Sequence, residues 1–315
     1  MKFVTKRALL IGLNEYHTLG KLKYARQDAE AIALALRQYC DFSDHEITLM
    51  SCTSGGALLG LSHYIEKALF RLAECRELEL LVVGFWGHGF VSEGKRYLCG
   101  IDTEEDDLIG TAVSLEVVKA KLTQVQAENT LLILDCCQNR PAGRSVGAEP
   151  MMEGEEATLA SMARDIRASR QKQFSKSIPT VAVINSCREG QKAYEWDSRG
   201  HGIFTAYLLE AFDKGYGSVA RISSWAAERV AHTAADLYGQ QQIPFITIEG
   251  KGDIRLIEDL RREEEDRNRD AQRRREEEEQ RRVEEARRQE GAERAARAKA
   301  VSGSEKGTET GHDGV

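Results

Sequence analysis

The strongest constraint on the fold is a series of short apolar runs spread along the chain: RALLIGL, EITLM, LELLVVGFW, TLLILDC, TVAVINS and PFITIE. Most are continuously apolar instead of alternating, which is the pattern of strands buried on both faces. Between them lie ARQDAEAIALALRQY, ALLGLSHYIEKALFRLAEC, SLEVVKAKL, GIFTAYLLEAF and SVARISSWAAERVAHTAADL, whose apolar residues recur at helical spacing. This order predicts an α/β three-layer sandwich in which helices flank a mainly parallel central β-sheet. In such sheets reactive side chains collect at the carboxyl ends of the strands.

At 315 residues the chain can bury a sizeable core. Its formal charge is -7, with 29 Lys+Arg against 33 Asp+Glu through residue 257 and 15 against 18 beyond. Neither part is a basic arm, so nucleic acid is not an expected partner. The seven cysteines are odd in number and lack CxxC or Cys/His pairing, which argues against a disulfide framework or a zinc site. Near the N-terminus only the short run ALLIGL follows the early lysines and arginine, without a small-residue cleavage site. No window approaches the ~20 apolar residues of a membrane span. A cytoplasmic protein with reduced thiols and no membrane contact is expected.

Two segments depart from the pattern. Residues 138–178 are polar and Gly-bearing and far exceed an ordinary connection, so they read as a functional or disordered loop. Residues 261–300 are almost entirely Arg, Glu and Ala, with Glu→Arg pairs at i,i+4 but no Leu or Ile stripe. That composition predicts a solvated single helix fraying into a disordered C-terminus.

Thiol chemistry needs a neighbour that takes or stabilises the proton, and histidine is the usual one. His63 and His232 sit within helical patterns, His312 in the tail, and His17 and His45 in loops. His88 and His201 remain, each inside Gly-His-Gly. His88 emerges from the end of LELLVVGFW, as the adjacent Cys136 and Cys137 emerge from TLLILD, so it is the favoured base. His201 precedes a helix, where its glycines serve a turn. Glycine beside the base leaves room for an oxyanion to approach a backbone donor, and the amides of Gly89 and Cys137 are the candidates.

FWGHGF and LILDCCQN, with His88 and Cys137 49 residues apart, resemble the caspase-like cysteine peptidases. The flanking residues are most similar to the metacaspases and bacterial caspase homologues. LLIGLNEYHTLGKLKYARQDAEAIALAL, INSCREGQKAYE and GHGIFTAYLLEAF extend the likeness over residues 7–250. The resemblance implies a caspase-like sandwich over 1–257: a large-subunit-like part (1–137), a cleavable linker (138–178) and a small-subunit-like part (179–257). Residues 258–315 then form the charged tail. It also implies that the cysteine two residues after the acid, Cys137, is the nucleophile, with His88 its base and Cys136 a buried neighbour. Gln138 and Asn139 stand where metacaspases usually have histidine and serine, and Trp86 where a serine often precedes Gly-His-Gly.

Animal caspases carry a neutral glutamine where this chain has Asp135. A carboxylate there favours a cationic substrate side chain, and Glu195 matches the second pocket acid of metacaspases. Cleavage after Arg, with Lys second, is expected. The acidic run 102–107 lacks calcium-loop spacing, so no metal or other cofactor is expected and calcium is not predicted. Arg140, Arg144, Arg164, Arg167 and Arg170 are candidate sites for activating cleavage of the 138–178 segment, by the enzyme itself or by an upstream protease. Protein or peptide substrates are the expected partners, in proteolytic signalling, stress response or defence. The alternatives are a catalytically inactive caspase-like scaffold and a vicinal-cysteine redox or metal sensor.

Overall fold

The structure, a computed structural model, describes residues 5–51, 60–92, 94–136, 155–172, 174, 178–188 and 190–257. The apolar runs form a six-stranded sheet from β1 (Lys6–Gly12), β2 (Ile47–Ser51), β3 (Leu78–Gly87), β7 (Ala127–Cys136), β8 (Thr180–Asn185) and β11 (Phe245–Glu249). Their spatial order is β11-β8-β7-β3-β1-β2. All neighbours run parallel except β11, which pairs antiparallel to β8. Strand alternation sends successive side chains to opposite layers. On β3, Leu81, Val83 and Phe85 enter one core while Leu80, Val82 and Trp86 enter the other.

The first layer contains α2 (Ser62–Ala73), α4 (Leu115–Leu122) and α5 (Glu155–Gln171), which supply Leu69, Val118 and Ile166 to the core. The second contains α1 (Ala25–Tyr39), α6 (Ile203–Asp213) and α7 (Val219–Tyr238), supplying Ile32, Phe204 and Val230. The expected mainly parallel sandwich is therefore the observed one. Two small additions were not legible as apolar runs. β4 (Gly89–Ser92), β5 (Lys95–Leu98) and β6 (Val113–Ser114) form a three-stranded sheet directly after β3, and α3 (Leu108–Thr111) precedes β6. β9 (Glu195–Trp196) and β10 (His201–Gly202) form a hairpin ahead of α6.

The reading of 138–178 as a loop needs correction, because residues 155–171 are helical. Leu159, Met162, Ala163 and Ile166 recur at helical spacing and are buried against the sheet. Arg170 is fully buried, donating to Thr130 Oγ1 and, at 2.9 Å, to the Leu122 carbonyl that ends α4. Burial pulls its guanidinium pKa down to about 9. Arg164 lies on the same helix and pairs with Glu249 at 3.5 Å. Arg164, Arg167 and Arg170 are thus helical residues, and a protease must unwind α5 to reach the bonds after them. Arg140 and Arg144 lie outside the described residues.

Trypsin acting on the native protein is expected to spare the bonds after Arg164, Arg167 and Arg170, read from a peptide mass map. Arg170→Met, which keeps volume and removes a buried charge, should hold or raise Tm, whereas Arg170→Ala should cost about 2–4 kcal/mol.

Candidate active site

β3 and β7 pair in register to their ends, with Phe85 opposite Leu134, Trp86 opposite Asp135 and Gly87 opposite Cys136. In the sequence His88 follows Gly87 and Cys137 follows Cys136. Cys137 lies outside the described residues. Cys136 is 3% exposed and packs in the α2/α4 layer, so its sulfur is withdrawn from solvent.

His88 is held by the loop between β1 and α1. Its amide donates to Tyr16 Oη at 2.8 Å, and the two rings are 4.7 Å apart. Its Nε2 lies 2.6 Å from the Gly20 carbonyl. A carbonyl only accepts, so Nε2 carries the proton and Nδ1 keeps the lone pair that a general base requires. Burial pushes the imidazole pKa below its ordinary value, opposed by the Gly20 carbonyl and the Glu195 charge. The loop is itself pinned, since Leu13 N donates to the Trp86 carbonyl at 3.0 Å and His17 N to the Ile101 carbonyl at 2.8 Å.

Gly89 is explained by close approach. A Cβ there would sit 2.9 Å from Cys136 Sγ and 3.1 Å from the Tyr97 carbonyl. Cys99 N donates to the His88 carbonyl at 2.9 Å, which makes 88 and 99 a hydrogen-bonded pair across β4 and β5. The following pair, Gly89 and Leu98, is then non-hydrogen-bonded, so the Gly89 N–H points away from β5. The Gly89 amide is thus left outside the β4–β5 ladder.

Asp135 projects to the opposite layer from Cys136 and is 9% exposed. Its Oδ2 accepts from Thr205 Oγ1 at 3.0 Å, and Thr205 Oγ1 in turn accepts from Trp86 Nε1 at 2.8 Å. Trp86, which replaces the usual serine, is therefore a buried support for the carboxylate. Gly84 makes room for its ring, which a Cβ would meet at 2.3 Å. Asp28, on the first turn of α1, joins Asp135 from the adjacent layer. It is 3% exposed and accepts from His201 Nδ1 at 2.7 Å and from Gly202 N at 2.9 Å. A Cβ on Gly202 would lie 3.0 Å from Asp28 Oδ2 and 3.4 Å from Asp135 Oδ2, so the two carboxylates converge on one point that glycine leaves open.

Gly200, at φ +68°, makes the turn of the β9–β10 hairpin, as the Gly-His-Gly pattern suggests. Gly202, with φ -62°, has a backbone any residue adopts, so its role is space and not the turn expected for both glycines. Glu195 Oε1 accepts from Lys23 N at 2.6 Å and Tyr24 N at 3.0 Å, clamping the start of α1. Its charge also reaches Asp28, Asp135 and His88. In the acidic run, Asp102 accepts from Ser62 N at 2.8 Å, at the start of α2 and 40 positions away, and Asp107 caps α3 by accepting from Gly110 N at 3.1 Å.

Burial raises the Asp135 pKa to about 7, reinforced by the Asp28 charge and opposed by the hydroxyls of Ser186 and Thr205. Burial raises that of Asp28 as well, opposed chiefly by His201 and the Gly202 amide. The site thus combines a neutral imidazole at one strand tip with two buried carboxylates beneath an adjacent open point.

A mainly parallel six-stranded sheet between two helical layers, with His88 following the carboxyl end of β3, is a caspase-like fold. The caspase domain family matches residues 5–250, and the chain belongs to that family, whose members are cysteine peptidases. A protein from Geobacter sulfurreducens is similar in fold, with 17% identity, a TM-score of 0.51, and 79% of this chain and 94% of that one covered. Caspase-1 from Spodoptera frugiperda is similar with 14% identity, a TM-score of 0.50, and 78% and 86% covered. No curated protein sequence matches the chain. Among the described residues no helix is long and apolar enough to cross a membrane.

The raised Asp135 pKa has a direct consequence for stability. Below 3.8 the group is protonated in folded and unfolded chains alike; between 3.8 and about 7 the unfolded chain ionises first, so stability falls as pH rises. Asp135→Asn should therefore match the parent near pH 4 and exceed it above pH 7 by about 1–3 kcal/mol in denaturant melts.

Proposed function

We propose that the protein is a cytoplasmic cysteine endopeptidase that cleaves polypeptides after arginine, and less efficiently after lysine. The observation that carries this reading is the convergence of Asp28 and Asp135 on the space over Gly202. A guanidinium is planar and forked, and it satisfies two carboxylates at once where an ammonium presents a compact point charge. Glu195 adds a third negative charge nearby while holding the loop.

In the proposed mechanism, His88 Nδ1 takes the Cys137 thiol proton while its Nε2–H stays on the Gly20 carbonyl. The thiolate attacks the substrate carbonyl carbon, and the oxyanion is received by the amides of Gly89 and Cys137. The imidazolium then protonates the leaving amine, and the C–N bond breaks to give an acyl thioester and the new N-terminus. Water, deprotonated by the same imidazole, attacks the thioester and restores the thiol. The Gly20 carbonyl favours the imidazolium in both halves by accepting a hydrogen bond from its Nε2–H.

Activation by chain cleavage at Arg140 or Arg144 is part of the same proposal, with α5 left intact. The cut is made by the enzyme or an upstream protease and releases a latent form. Proteolytic signalling, stress response or defence is the proposed setting.

Fluorogenic peptides ending in Arg, Lys, Asp or a neutral residue test this reading. Cys137→Ala and His88→Ala should each lower kcat/KM for the Arg peptide by about a thousandfold or more, while Cys136→Ala retains activity. Loss in Cys136→Ala alone would move the nucleophile one residue back, and a folded parent that cuts no peptide would leave an inactive scaffold. The preference for Arg over a neutral residue should grow as pH rises through about 7, as Asp135 ionises in the free enzyme.

A further inference from the structure

His201, the second Gly-His-Gly histidine, takes no part in the bond cleavage described above, yet its ring is tied to the pocket. The hairpin pairs His201 with Trp196 and Gly202 with Glu195, and Gly200 N closes the turn on the Trp196 carbonyl at 3.0 Å. This return places Nδ1 2.7 Å from Asp28 Oδ1. A carboxylate accepts, so Nδ1 carries the proton, the opposite tautomer from His88. The histidine side chain is 26% exposed and the Asp28 side chain 4%.

We infer that His201 is the positioning residue that keeps Asp28 ionised and aimed at the guanidinium site, and so sets the preference for arginine. The inference rests on the arginine-directed reading above and names the residue that maintains it. Asp28 is 3% exposed and lies beside the Asp135 carboxyl, and the Glu195 charge on β9 is repelled by its own. Burial and the Glu195 charge both oppose its ionisation. Among the described residues, His201 and the Gly202 amide, both from β10, act in the other direction, one donor to each oxygen. The amide is part of the backbone and fixed by the hairpin, so among the described residues the histidine is the side chain whose removal changes the balance. Without it Oδ1 loses its charge-assisted donor, the carboxyl takes up a proton, and the pocket loses both one negative charge and one fixed acceptor.

The geometry also states which replacements work. Asparagine carries a side-chain N–H close to where Nδ1 sits, whereas the glutamine amide lies one bond further out. The test compares a peptide ending in arginine with its citrulline counterpart, which keeps the shape and removes the charge. In the full chain, His201→Ala should raise KM for the arginine peptide about tenfold while kcat changes little, and leave citrulline cleavage unchanged. His201→Asn should restore the arginine preference to within about threefold, and His201→Gln should not. The pH at which the arginine preference appears should move upward in His201→Ala, and the Asp28 carboxyl, followed by carbon NMR in the Cys137→Ala background, should titrate at higher pH.

A parent that prefers arginine, together with a folded His201→Ala protein that keeps the same preference and the same Asp28 titration, overturns the role of His201 alone. A parent that treats arginine and citrulline equally overturns the specificity reading and this inference with it.

Discussion

The pairing of β3 with β7 governs the rest of the site. Two parallel strands run in register to their last residues, and the chain leaves both at the same level, after Gly87 and after Cys136. A shift of one residue would exchange the layers into which every side chain of β7 points. Asp135 would then face the α2/α4 core, where Cys136 now sits, and lose Thr205. Register is secured by burial on both faces, since Leu132 and Leu134 fill one core while Leu131 and Ile133 fill the other. The apolar packing that holds the sheet thus also aligns the two strand ends, Gly87 and Cys136.

The carboxylates show the opposite economy. Asp28 and Asp135 are buried within reach of one another, and among the described residues no arginine or lysine pairs with either. Hydroxyl, imidazole and amide donors offset part of the desolvation, and the remainder appears as raised pKa values. The Trp86–Thr205–Asp135 chain links the tip of β3 to α6 and back to β7, so the acid is braced by both strands of the central pair. Ionising these carboxyls weakens the empty protein, and in the arginine-directed reading proposed above the substrate supplies the missing charge.

Much of this was legible in advance. Continuous apolar runs marked the sheet, and Gly-His-Gly at the end of one run marked the strand tip from which His88 leaves. The α5 helix was also encoded, in the spacing of Leu159, Met162, Ala163 and Ile166, but the polar and Gly-bearing sequence before it obscured the stripe. Asp28 was hidden for a different reason. An acid in the first turn of an amphipathic helix is ordinary for its favourable position near the helix N-terminus, and nothing local sets it apart. The Gly20 carbonyl has no side-chain signature at all.

The sequence by itself determined the strands, most of the helices and the order of the motifs, because periodicity and turn chemistry act within a few residues. Tertiary structure alone decided which groups meet: Gly20 with His88 across 68 positions, Thr205 with Asp135 across 70, and Asp28 with His201 across 173. Those contacts depend on the layer each strand residue faces and on how the β1–α1 loop and the β9–β10 hairpin fold over the sheet edge. Only packing brings such distant parts of the chain within hydrogen-bond range, and only there do burial and neighbouring charge shift a carboxylate.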